Sequence, residues 1–120
     1  MNILLHIVSE ADWARVNDAY RPKSLKIEGF IHCSTLENVL IPANERFLGR
    51  HDLLMLVIDQ ALVTAAVIAE DCEERGIAFP HIYGPLDFEA VKHVLPFKPD
   101  NTGHFSLPKS LDSIVENTKS

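Results

Sequence analysis

The chain is short of cysteine and of basic residues, and each shortage excludes something. Its 120 residues hold two cysteines, Cys33 and Cys72. A secreted disulfide scaffold uses more, and no Cys-x-x-Cys pair is present to build a zinc knuckle. Two reduced thiols in the cytoplasm are therefore expected. Lysine and arginine number 11 against 17 acidic residues, a formal net charge of −6. A phosphate backbone attracts basic surfaces, so no dedicated nucleic-acid binding is expected. No apolar run approaches the ~20 residues that span a bilayer. The start, Met1-Asn2-Ile3-Leu4-Leu5-His6, lacks the basic n-region of a signal peptide. A cytoplasmic protein with no membrane partner is the expectation. Repeats, low-complexity stretches and linkers are missing too, which leaves a single domain over 1–110 and a loose polar tail over 111–120. What the chain does have is a 47% hydrophobic fraction, enough for a core of its own, and six histidines.

Local patterning predicts a mixed α+β domain. Ile3–Val8 reads as a first strand with His6 inside it. Ser9 is placed to cap a helix running to about Tyr20, with Trp13, Val16 and Tyr20 on one face. Arg21-Pro22 ends it and opens a loop. Phe30–Ser34 reads as a second strand, followed by a capping box, Ser34-Thr35-Leu36-Glu37. The repeat Leu36, Val39, Leu40, Ala43, Phe47 then predicts an amphipathic helix that Pro42 should kink. Leu53–Ile58 suits a strand buried on both faces. Further strands are expected at Val67–Glu70, Phe79–Tyr83 and Val94–Phe97, with a helical turn from Asp87 to Val91 and an edge strand at His104–Leu107.

The histidines fall into a pattern. Alternate residues of a strand share a face, so Phe30, His32 and Ser34 stand together, as do Phe79, His81 and Tyr83. Each set runs aromatic, imidazole, hydroxyl, which is how a polar small-molecule site is built on an apolar floor. His6 joins them if the first strand is adjacent. A lone histidine in an apolar strand is more often a hydrogen-bonded core residue. Three in three strands each need a partner, and that points His32 and His81 to acid–base or phosphate-binding roles. Cys33 alternates away from His32, so a Cys–His nucleophilic pair is rejected. Glu70, Asp71, Glu73 and Glu74 form an acidic group from which one could act as a base, and spacing does not select which. Arg21 and Ser24, in the proline-bearing loop, are candidates for holding an anion. His51, His93 and His104 receive no role. Three histidines also raise a second chemistry, a metal-dependent hydrolase with His6, His32 and His81 around a zinc ion. No two ligands stand at a short spacing that would anchor it.

The segments Tyr20–Leu25, Glu28–Thr35 and Phe79–Leu86 together resemble a small bacterial family, domain of unknown function 952. The resemblance runs from the His6 strand to Phe105-Ser106-Leu107-Pro108, with Leu5 and Pro42 as departures. It implies an ADP-ribosyltransferase-like fold: one compact α+β domain with a curved, split, mainly antiparallel sheet and flanking helices, holding NAD in a cleft. It implies no tightly bound cofactor, with NAD or a related phosphorylated nucleotide as substrate or ligand. By that resemblance His6 matches a first-strand position, and His32 with Ser34 a second. His81 and Tyr83 fall in a third region, where a glutamate usually holds the ribose and none stands within Phe79–Tyr83. The site expected is His32 and His81 as catalytic residues, with His6, Arg21, Ser24, Ser34 and Tyr83 binding substrate. A non-catalytic ligand-binding or interaction module is the remaining alternative.

Overall fold

The computed structural model describes residues 2–117. In chain order the elements are β1 (Ile3–Ser9), α1 (Glu10–Ala14), β2 (Ala19–Tyr20), α2 (Lys23–Ile27), β3 (Ile31–His32) and α3 (Leu40–Arg46). There follow β4 (Leu53–Asp59), β5 (Ala66–Glu70), β6 (Phe79–Tyr83), β7 (Leu86–Asp87), β8 (Val91–Phe97) and α4 (Ser110–Asn117). The strands make three antiparallel sheets, ordered β1-β4-β8, β2-β7 and β3-β6-β5. The domain is α+β.

The first sheet is the central layer. Leu53 and Met55–Ile58 of β4 are all fully buried, as a strand covered on both faces requires. On one face Leu5, Met55 and Val57 pack with Val39, Ala43, Phe97, Phe105 and Leu111, beneath α3 and α4. On the other, Leu4, Val8, Leu56 and Ile58 meet Tyr20, Ile31, Cys33, Ile82 and Leu86 from the two smaller sheets. The alternation of β1 thus serves two cores at once. No helix among the described residues is long and apolar enough to cross a membrane.

Several local expectations yield to tertiary packing. Ser9 Oγ caps α1 by accepting from the Asp12 amide at 3.1 Å, but the helix stops at Ala14. Tyr20 belongs instead to β2, opposite Leu86, because its ring is buried in the core there. Pro22 opens α2, a short helix in the stretch expected to be a loop. The capping box does not form. The Ser34 amide donates to the Leu5 carbonyl at 2.8 Å, so it is not available to Glu37, and the helix begins at Leu40. Pro42 therefore lies in the first turn, where a missing N–H disrupts nothing, and α3 is not kinked by it. His104–Leu107 forms no strand. The Phe105 amide donates to Asn44 Oδ1 at 2.7 Å, and Asn44 Nδ2 donates back to the Phe105 carbonyl at 3.3 Å, which satisfies that backbone without a sheet. Past Pro108 the chain is ordered as α4, whose Leu111 is buried, rather than loose to residue 117. Residues 118–120 of that tail lie outside the described residues.

The turn after β6 depends on Gly84, since a Cβ there would stand 2.7 Å from the Ala65 Cβ. Neither methyl can rotate away. Gly84→Ala is expected to destabilise the fold by about 1–3 kcal/mol, read as a lower urea midpoint. An unchanged midpoint would show that the two strand ends separate freely.

Candidate functional site

The site begins with strand register. Pairing of β3 with β6 sets His32 opposite His81 and Ile31 opposite Ile82. Ile31 and Ile82 turn into the core, so His32 and His81 project from the other face of that sheet with ring centroids 5.4 Å apart. Phe30 stacks on His81, centroids 4.0 Å apart and planes 13° from parallel, and lies 5.4 Å from Tyr83. The two sets read from alternation do share one face. Cys33 points into the core as expected, and burial pushes its thiol far above the ordinary range.

His6 is differently employed. It is 7% exposed, with Nδ1 2.5 Å from the His32 carbonyl oxygen and Nε2 2.8 Å from the Tyr20 hydroxyl. A carbonyl only accepts, so Nδ1 carries the proton and Nε2 accepts from Tyr20. Both ring nitrogens are used, and burial lowers the imidazole to about 4. His6 is neutral at physiological pH. It ties β1 and β2 to the backbone of His32, and it offers no nitrogen to a three-histidine metal centre.

Two carboxylates meet the outward histidines. Glu28 Oε2 lies 2.7 Å from His32 Nε2. Glu70 Oε1 lies 2.9 Å from His81 Nδ1 and accepts the Tyr83 hydroxyl as well. The Tyr83 and His81 bonds hold the Glu70 carboxyl below its usual range, and in return the Tyr83 phenol is pushed up to about 12. An ionised Glu70 only accepts, so His81 carries its proton on Nδ1 and leaves Nε2 free as a base when neutral. Glu70 is the acid that spacing left unselected. Its selection comes from register: Ile68 pairs with His81 and Glu70 follows two residues on, on the same face. Glu28 had one signal in the sequence, four residues before His32, but in a segment expected to be loop.

His6, His32, Ser34, Glu70 and His81 line a cleft of about 210 Å³ between the β3-β6-β5 sheet and α3. Across the mouth, Arg46 pairs with Glu73 at 2.9 Å, and Arg75 with Glu45 at 2.9 Å. Four carboxylates (Glu45, Glu70, Asp71 and Glu73) face two guanidiniums in this lining. Arg46 and Arg75 were not among the expected site residues. Arg21 is paired with Asp18 at 2.9 Å, and the Ser24 carbonyl accepts from the Glu28 and Gly29 amides. Neither residue lines the cleft. Tyr83 reaches the site through Glu70. Among the described residues, one group can offer a metal three ligands, Glu70, Cys72 and His81, whose ligand atoms all lie within 4.8 Å of one another.

The architecture and site define a small α+β domain with a carboxylate-bound histidine pair at the wall of a cleft. The chain belongs to the family described as "Protein of unknown function (DUF952)", whose model matches residues 7–94. It is similar to the crystal structure of protein CC0527 from Caulobacter crescentus, with a TM-score of 0.80 and 26% identity over 92% of this chain and 98% of that one. The solution NMR structure of CC0527 matches with a TM-score of 0.65 and 27% identity, over 94% and 97% of the two chains. No curated protein matches the chain.

Proposed function

We propose that this domain binds NAD or a related phosphorylated nucleotide in the His32–His81 cleft and acts on the bond at the ribose C1′ carbon. The observation that carries the reading is Glu70, an ionised carboxylate fixed by His81 and Tyr83 at the cleft wall. The family resemblance implies an ADP-ribosyltransferase-like site with a glutamate in its third region, and Glu70 supplies one from the neighbouring strand. Cleavage leaves positive charge on the ribose as nicotinamide departs with the electron pair of the C1′–N bond. A fixed carboxylate stabilises that charge more than it stabilises the bound substrate. His81 Nε2 takes the proton of the water or hydroxyl that attacks C1′, which balances the step. The excess of carboxylates over guanidiniums also favours the cationic nicotinamide–ribose end. At about 210 Å³ the cleft is smaller than the ~300–1,000 Å³ of whole-ligand sites, so it takes that end alone. The phosphates would lie at the mouth beside Arg46 and Arg75.

Calorimetric titration of NAD and of ADP-ribose into metal-free protein tests the proposal. NAD is expected to bind, with His32→Ala and His81→Ala each weakening it ~10-fold or more, about 1.4 kcal/mol. His51→Ala, in an exposed loop that does not line the cleft, should bind as the wild type does. No heat with either nucleotide sinks the reading.

A further inference from the structure

We propose that Glu70, Cys72 and His81 form a site for a borderline-soft divalent cation of the Zn²⁺ class. The donor set is a carboxylate oxygen, a thiolate and an imidazole nitrogen, the three ligand types zinc takes, and a mixture that hard cations such as Mg²⁺ do not favour. The ligand atoms lie within 4.8 Å of one another. Four-coordinate zinc at ~2.0–2.3 Å from its ligands holds them roughly 3.3–3.8 Å apart. The remaining closure is within reach of Cys72, which is exposed and turns about one side-chain bond.

The surroundings of the triad favour the site. The turn that carries Cys72 is shaped by Asp71, whose carboxylate accepts from the Arg75 amide at 3.0 Å and the Gly76 amide at 2.7 Å. His81 is held in plane by the Phe30 ring, and Glu70 is oriented by the Tyr83 hydroxyl, the kind of outer contact that positions metal ligands. All three ligands also line the cleft, so a fourth coordination position faces open space, as in zinc sites that exchange a bound molecule. The acidic balance of the lining attracts a cation. This inference goes beyond the nucleotide reading and does not rest on it. A bound cation would take the Glu70 carboxylate that NAD cleavage uses, so the two ligands would exclude each other.

Titration with Co²⁺ and then Zn²⁺, with no nucleotide present, is the test. The wild-type chain is expected to bind one Co²⁺ with a thiolate-to-cobalt charge-transfer band and the strong visible bands of four-coordination, both erased when Zn²⁺ displaces it. Loss of an outer-shell partner alone weakens such sites ~10–100-fold, so loss of a ligand in Cys72→Ser or His81→Ala should weaken Zn²⁺ by ~100-fold or more. Cys72→Ser should also lack the charge-transfer band, while His51→Ala keeps both band and affinity. Cys72 is exposed, so its serine variant is expected to fold. Absence of binding, a spectrum without thiolate, or wild-type affinity in Cys72→Ser would each overturn the site. None of those results bears on NAD titrations of metal-free protein.

Discussion

Glu70→Gln is expected to slow NAD cleavage by ~10²–10³-fold while changing NAD affinity by less than ~10-fold. Glutamine keeps the shape and an oxygen that accepts from His81 and Tyr83, so the site should stay assembled. What it removes is the charge. Compensation of positive charge at the ribose matters most in the transition state, and the loss should therefore fall on kcat rather than KM. Glu70 lies at the end of β5 and is only partly buried, so the fold should tolerate the change. A variant with wild-type kcat would exclude Glu70 from the chemistry. A large rise in KM alone would make it a binding residue.

Acidification should weaken the fold through His6. Its imidazole is lowered to about 4 in the folded chain from 6.5 as the ordinary value. Between those values the unfolded chain binds the proton and the folded chain does not, so stability rises with pH. The contribution is complete above pH ~6.5 and is lost as pH falls from there through about 4. The full difference is about 3 kcal/mol, a large share of the ~5–15 kcal/mol that holds a domain together. The charged groups facing the ring reinforce the direction, since a protonated His32 repels a second charge. Carboxylates held low by their partners, such as Asp87 and Asp100, weaken the fold only at lower pH. Urea midpoints measured from pH 7 to 4.5 should therefore fall in the wild type. His6→Asn should start lower, having lost the Tyr20 bond, and show a much flatter slope. Equal slopes in the two proteins would assign the acid sensitivity to other groups.

The contrast between His6 and His81 shows how much of the site was legible. Both stand in apolar strands; alternation set His81 with Phe79 and Tyr83, while His6 was expected to join that site if the first strand lay adjacent. Which one is free for chemistry depends on what meets each ring. Tyr20 and the His32 carbonyl close off His6, and a single carboxylate leaves His81 one open nitrogen. Those partners lie 14, 26 and 11 residues away, beyond the reach of any local spacing rule. Arg21 and Ser24 were favoured for their loop, yet Ser24 folds into α2, Arg21 pairs with Asp18, and neither lines the cleft. Arg46 and Arg75 reach its mouth from α3 and from the turn after β5, two segments that only packing brings together.

The sequence by itself determined the fold class, the long central strands and the two alternating sets, Phe30 with His32 and His81 with Tyr83. These follow from periods of two and from apolar runs, which are properties of a few adjacent residues. The tertiary structure alone decided where α1 ends and α3 begins, which acid faces His81, and that Cys72 stands beside both. The helix limits rest on burial of Tyr20 and on the Ser34–Leu5 bond, and the last two outcomes on register between β5 and β6, which is set by burying Ile82 against the central sheet. A slip of one residue would reverse every side chain in β6, and no local preference in Glu70-Asp71-Cys72-Glu73 records which way it points.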